Sequence, residues 1–123
     1  MATNYSGDGH VITWTNGTGS AVSSGDVVVV GQQIGVALVD IANGDSGSVQ
    51  LDGVFDLPKV DAAVIAQGES VIWDSSAGAF DDNAATPATG DVSGCAVAME
   101  GKGATTGATI KVKLNVGVGT VAS

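Results

Sequence analysis

Gly44-Asp45-Ser46-Gly47 spells the tetrapeptide that surrounds the nucleophile of chymotrypsin-like serine proteases, and with His10 and the chain's aspartates a Ser-His-Asp triad can be written on paper. That chemistry needs a base oriented by a buried carboxylate and an oxyanion hole. Here the tetrapeptide follows Asn43 in a cluster of Gly, Ser and Asp, which reads as a reverse turn. Asp45-Ser46-Gly47 also matches the aspartic protease signature, in which two carboxylates share a dry site; Asn43-Gly44 make this a hydrated turn instead. A small hydrolase using Asp45 or Ser46 is the least supported of three functional readings. Asp81-Asp82-Asn83, with Asp74 or Asp91, offers oxygen ligands for calcium but lacks EF-hand spacing, and a solvated acidic loop is expected. His10 has no second His or Cys nearby to share a metal, and Cys95 has no partner for an internal disulfide and reads as a small buried residue. No catalytic residue, cofactor or metal ion is expected.

The rest of the composition narrows the partners. No arginine occurs, and Lys59, Lys102, Lys111 and Lys113 stand against eleven aspartates and two glutamates, a net charge of −9. Such a surface repels phosphate, so nucleic acid and anionic membranes are not expected as partners. The start Met1-Ala-Thr-Asn-Tyr5 has neither the basic nor the apolar region of a secretion signal, and no apolar run approaches the roughly 18 residues of a membrane span. Synthesis in the cytoplasm without export is the expectation.

Nineteen glycines with abundant Ala, Val, Thr and Ser are poor material for surface helices and good material for short strands and turns. His10 to Thr15 reads as a first strand closing at the hairpin dipeptide Asn16-Gly17. Val27 to Val30 and Ile34 to Ile41 read as a hairpin buried on both faces. Val49 to Leu57 reads as one strand stopped by Pro58, and residues 60–68 as the one short helical turn. Ser70 to Asp74 with a short return to Phe80, then Cys95 to Met99, supply further strands, with residues 81–91 as an exposed loop. In Thr109 to Val116, the positions Ile110, Val112, Leu114 and Val116 alternate against Lys111, Lys113 and Asn115. The predicted fold is all-β: a small barrel or sandwich of about eight short strands in a single domain over 1–123. Its parts are an extended N-terminal arm (1–8), a β core (9–117) and a tail (118–123).

Met1-Ala-Thr-Asn-Tyr5, Ser24-Gly25-Asp26, Val30-Gly31, Gly35-Val36-Ala37, Gly53-Val-Phe-Asp-Leu-Pro-Lys59, Gln67-Gly68, Trp73-Asp74 and Gly94 to Ala98 together resemble the bacteriophage capsid cement, or head decoration, proteins. The stretch from Gly53 to Lys59 is the most specific element. The resemblance implies a non-enzymatic structural protein on the outer surface of the virion that bridges major capsid subunits, with self-association as a trimer or dimer. Under that reading the interface candidates are the arm residues Ala2, Thr3, Asn4, Tyr5 and Ser6, together with Phe55, Leu57 and Pro58. Phe55 and Leu57 share a strand face, and read on their own they are favoured as core at a barrel end over a contact patch, because apolar strand residues usually bury. The alternative is a virion adhesin that recognises a host glycan through the 81–91 loop and Trp14 or Trp73.

Overall fold

The computed structural model describes residues 9–103 and 109–122 and shows two antiparallel sheets, with no helix among the described residues. The smaller sheet contains β1 (Val11–Thr15), β2 (Val27–Val30), β3 (Gln33–Ala37) and β4 (Ser46–Gln50), in the order β1-β4-β3-β2. The larger has β5 (Val54–Pro58), β6 (Ser70–Asp74), β7 (Ala79–Asp81), β8 (Val92–Ala98) and β9 (Thr109–Lys113) in the order β5-β9-β8-β6-β7, with β10 (Thr120–Val121) also on β8. The larger sheet curls until Lys59, just past β5, forms a parallel bridge to Phe80 of β7, and the Val60 N–H donates to the Phe80 carbonyl at 2.9 Å. The arrangement is a sandwich whose larger layer bends back on itself.

Two apolar cores follow from the two-residue period of the strands. Between the sheets, Ile34 and Val36 of β3 meet Leu57, Val71, Phe80, Val92, Ile110 and Val112, with Val27 and Val29 packed at the margin. On the opposite face of the smaller sheet, Val28, Ala37 and Val49 are closed over by Val22, Ile41 and Leu51. Four consecutive valines in β2 therefore serve both cores, and their branched side chains suit the pleat. The predicted β2–β3 hairpin forms with Val30 opposite Gln33, and Gly31 at φ 60° takes the first central position, as a type II′ turn requires.

Several local readings are corrected. Asn16-Gly17 does not turn β1 back on the next strand: β1 pairs with β4, from Val11 opposite Gln50 to Thr15 opposite Ser46. Asn16 is instead fully buried; its amide donates to the carbonyls of Ser20 (2.8 Å) and Ile41 (2.9 Å) and its oxygen accepts from Thr18 N–H and Oγ. A buried amide with every group satisfied organises the long connection in place of a tight turn. Val49 to Leu57 is not one strand. It breaks at Leu51-Asp52-Gly53, where Gly53 has φ 107°, so β4 and β5 belong to different sheets. Pro58 ends β5 at the sheet edge, where a missing N–H costs no central ladder bond.

Residues 60–68 form turns in place of a helical turn, held by a bridge between Ile65 and Lys102. Past an irregularity in the β6–β8 pairing, Cys95, Ala96 and Ala98 are buried while Met99 turns outward. The terminal stretch read as a tail contributes β10, whose Thr120 and Val121 pair with Ser93 and Val92, and the Gly119 N–H donates to the Gln32 carbonyl at 2.8 Å. Asn115 does not continue the outward row of lysines; it leaves β9 in the left-handed region at φ 53°.

Candidate docking surface

The Gly53 to Lys59 stretch divides its residues between turn, core and edge. Phe55 lies opposite Val112 and Leu57 opposite Ile110, so both point toward the core between the sheets. Leu57 is 2% exposed; Phe55 is half-buried against the same cluster. Val54, Asp56 and Pro58 face solvent. Asp56 stands opposite Lys111, and their charges meet at 2.9 Å, which raises the lysine pKa, chiefly through the hydrogen bond to Asp56. Of the three β5 interface candidates, Pro58 is exposed, Phe55 half-buried and Leu57 buried. Ala2, Thr3, Asn4, Tyr5 and Ser6 lie outside the described residues.

Lys59 is buried, and its Nζ donates to the backbone carbonyls of Val60 (2.7 Å), Asp61 (3.3 Å) and Ala63 (2.6 Å). The ammonium gathers three carbonyls of one loop around itself. This satisfies a buried cation without a carboxylate and fixes the chain immediately after the Pro58 edge.

Beside Pro58 opens a cleft of about 480 Å³. One wall is β2, with Asp26, Val27 and Val29; Pro58, Trp73 and Ser75 also line it. Because β2 is the last strand of its sheet, one backbone edge has no neighbouring strand among the described residues. Sequence reading missed this cleft: it recognised Val27 to Val30 as doubly buried, but nothing local marks that strand as an edge or brings residues 18 to 78 together.

The residues that could suggest chemistry serve as structural partners. Ser46 exchanges a hydrogen bond with Thr15 (2.8 Å), while His10 pairs with Asp52 at the other end of the β1–β4 ladder. Five residues of strand, about 16 Å, separate the would-be nucleophile from the would-be base. Asp91 is buried, accepting from Ser75 N–H (3.0 Å) and Ala88 N–H (2.9 Å). Asp82 accepts from Ala84 N–H within the acidic loop, and Glu69, ahead of β6, accepts from Asn83 N–H. Trp73 is 7% exposed and meets Phe80 edge-on, centroids 5.0 Å apart, and Trp14 is partly buried against the second core.

The family model of phage cement proteins matches residues 6–114. The chain belongs to the phage cement protein family. A search of curated proteins finds no match. As a phage cement protein it has a structural role associated with the capsid, and its place is in the virion. The match takes in the whole Gly53 to Lys59 stretch and every strand except β10. Within that stretch of this cement protein, Gly53 turns the chain between sheets, Leu57 fills the core with Phe55 packed against it, Pro58 ends an edge strand and Lys59 pins the next loop.

Proposed function

We propose that the protein binds the outer surface of an assembled phage head and stabilises it by bridging neighbouring major capsid subunits, with copies self-associating as trimers or dimers at symmetry junctions. The observation that carries this reading is the family match over residues 6–114. The net charge of −9 supports an exterior position, because an acidic shell protein is repelled by packaged nucleic acid. Repetition by symmetry converts modest contacts into strong clamping, since each further contact of a bound assembly forms at high effective concentration. The arm residues Ala2 to Ser6 supply one contact by adding backbone to a capsid strand edge; Pro58 belongs to a second. Synthesis takes place in the host cytoplasm.

The test is co-sedimentation of purified protein with heads that lack it, followed by heating. Saturable binding and a higher temperature of DNA release are expected; no binding would overturn the proposal. Deleting residues 2–8 should leave the thermal midpoint of the isolated protein unchanged and weaken head binding, and unchanged binding would remove the arm from the docking surface.

A further inference from the structure

The open edge of β2 carries specific hydrogen-bonding groups. The Ala37 N–H donates to the Asp26 carbonyl (2.9 Å), and the register places Val28 opposite Gly35 and Val30 opposite Gln33. Alternation along an antiparallel ladder then directs the backbone of 26, 28 and 30 toward β3, and the N–H and C=O of Val27 and Val29 away from it. No hydrogen bond to those outward groups is made among the described residues. A strand edge of this kind, left bare, pairs with other chains, and proteins usually guard it with lysine, proline or a bulge. A bulge stands before β2, where Gly25 (φ 93°) and Asp26 both bond Ala37, but residues 27–30 themselves carry neither lysine nor proline and run along the cleft shared with Pro58 and Trp73.

We propose that the β2 edge and its cleft receive an extended, uncharged segment of the major capsid protein, flanked by a basic residue, as a fifth strand of the smaller sheet. This rests on the capsid-binding reading above. An extended backbone is what satisfies alternating outward N–H and C=O groups, and the four residues of β2 offer about 13 Å of pairing. The cleft lining has one charged residue, the exposed Asp26 at the start of β2, which suits a lysine or arginine beside the inserted segment. An acidic segment is disfavoured at this edge by the same charge. The cleft also adjoins Pro58, so an inserted strand would lie alongside the β5 edge and join the two contacts into one surface.

Hydrogen exchange of the protein free and bound to heads, with head binding of Val29→Pro, tests this. Proline at 29 removes an outward N–H and leaves the ladder bonds of Val28 and Val30 in place; Val64→Asp, at an exposed position outside the cleft, is the control. Expected are slowed exchange at Val27 and Val29 on head binding and about tenfold or greater weakening for Val29→Pro, with the control unchanged. If the wild-type protein binds heads while exchange at Val27 and Val29 is unaltered, the inference is overturned and the capsid reading stands. If the wild-type protein does not bind heads, that reading fails and takes the inference with it. Should Val29→Pro not fold, the wild-type exchange result decides alone.

Discussion

The side chain of Asn115 behaves toward Ile34 as a neighbouring strand would: its amide nitrogen donates to the Ile34 carbonyl at 2.6 Å and its oxygen accepts the Ile34 N–H at 3.2 Å. The same nitrogen also reaches the Leu51 carbonyl. One position soon after β9 thus stitches the larger sheet to the start of β3 in the smaller one. It does so from φ 53°, a conformation asparagine tolerates better than most residues.

Replacing Asn115 by Ala is expected to destabilise the fold by about 2–4 kcal/mol, because backbone groups of the fully buried Ile34 lose their partner and alanine is strained at positive φ. Asn115→Gly relieves the strain alone and should fall between. Chemical denaturation ranks the three proteins, and equal stability of wild type and Asn115→Ala would show that the stitch contributes nothing.

Lys59→Met keeps the aliphatic stem and deletes the donors that gather the carbonyls of Val60, Asp61 and Ala63. A loss of about 1–3 kcal/mol is expected. Amide exchange should rise first in the loop from Val60 to Ile65, adjoining the Pro58 edge. Uniform exchange behaviour would show that the loop holds itself.

Asp74 caps the β6–β7 turn: its Oδ1 accepts from Ser76 N–H, Ser76 Oγ and Ala77 N–H. These bonds, that from Ala77 first, hold its carboxyl below the ordinary value of 3.8. A lowered folded value means that the cap's contribution is complete above the ordinary value and is lost as pH falls through the folded value. At neutral pH, Asp74→Ala should be less stable by about 1 kcal/mol or less, the site being solvated. As pH falls below 3.8 the gap should close; a gap that stays constant throughout acid titration contradicts the assignment.

Burial pushes the Cys95 thiol from 9.0 up to about 11. The folded protein therefore disfavours the thiolate that the unfolded chain forms, so stability should fall as pH rises from 9.0 to about 11. Cys95→Ala should lack that part of the alkaline loss. Near neutral pH the native thiol should resist an aromatic disulfide reagent that labels it promptly in denaturant, and rapid native labelling would place it nearer the surface.

Local signals made part of this fold legible. The valine run, the Gly31 turn and the Ile110–Val112–Leu114 alternation each carry their meaning within a few residues, and they yielded β2, β3 and β9. Asn16, Lys59 and Asn115 do not: each is polar and reads locally as turn or surface, yet Asn16 and Lys59 are buried and Asn115 spans two sheets through contacts up to 81 residues distant. Gly53 was similarly ambiguous, since a glycine inside an apolar alternation marks either a bulge or a break, and only the sheet to which each half pairs decides. On the β5 patch, pairing register resolved what strand-face periodicity left open, placing Leu57 inside and Pro58 at the edge. The cleft was beyond reach for a different reason: an open strand edge is defined by which neighbour is absent.

If this cement protein spans subunits on the outside of the head, a cryo-electron microscopy difference map between heads with and without it will show where each copy sits. Ordered density is expected on the outer surface, with each copy, or symmetric cluster of copies, touching at least two major capsid subunits. Density on the inner surface, or copies that each rest on one subunit without contact to a neighbour, would contradict the bridging role.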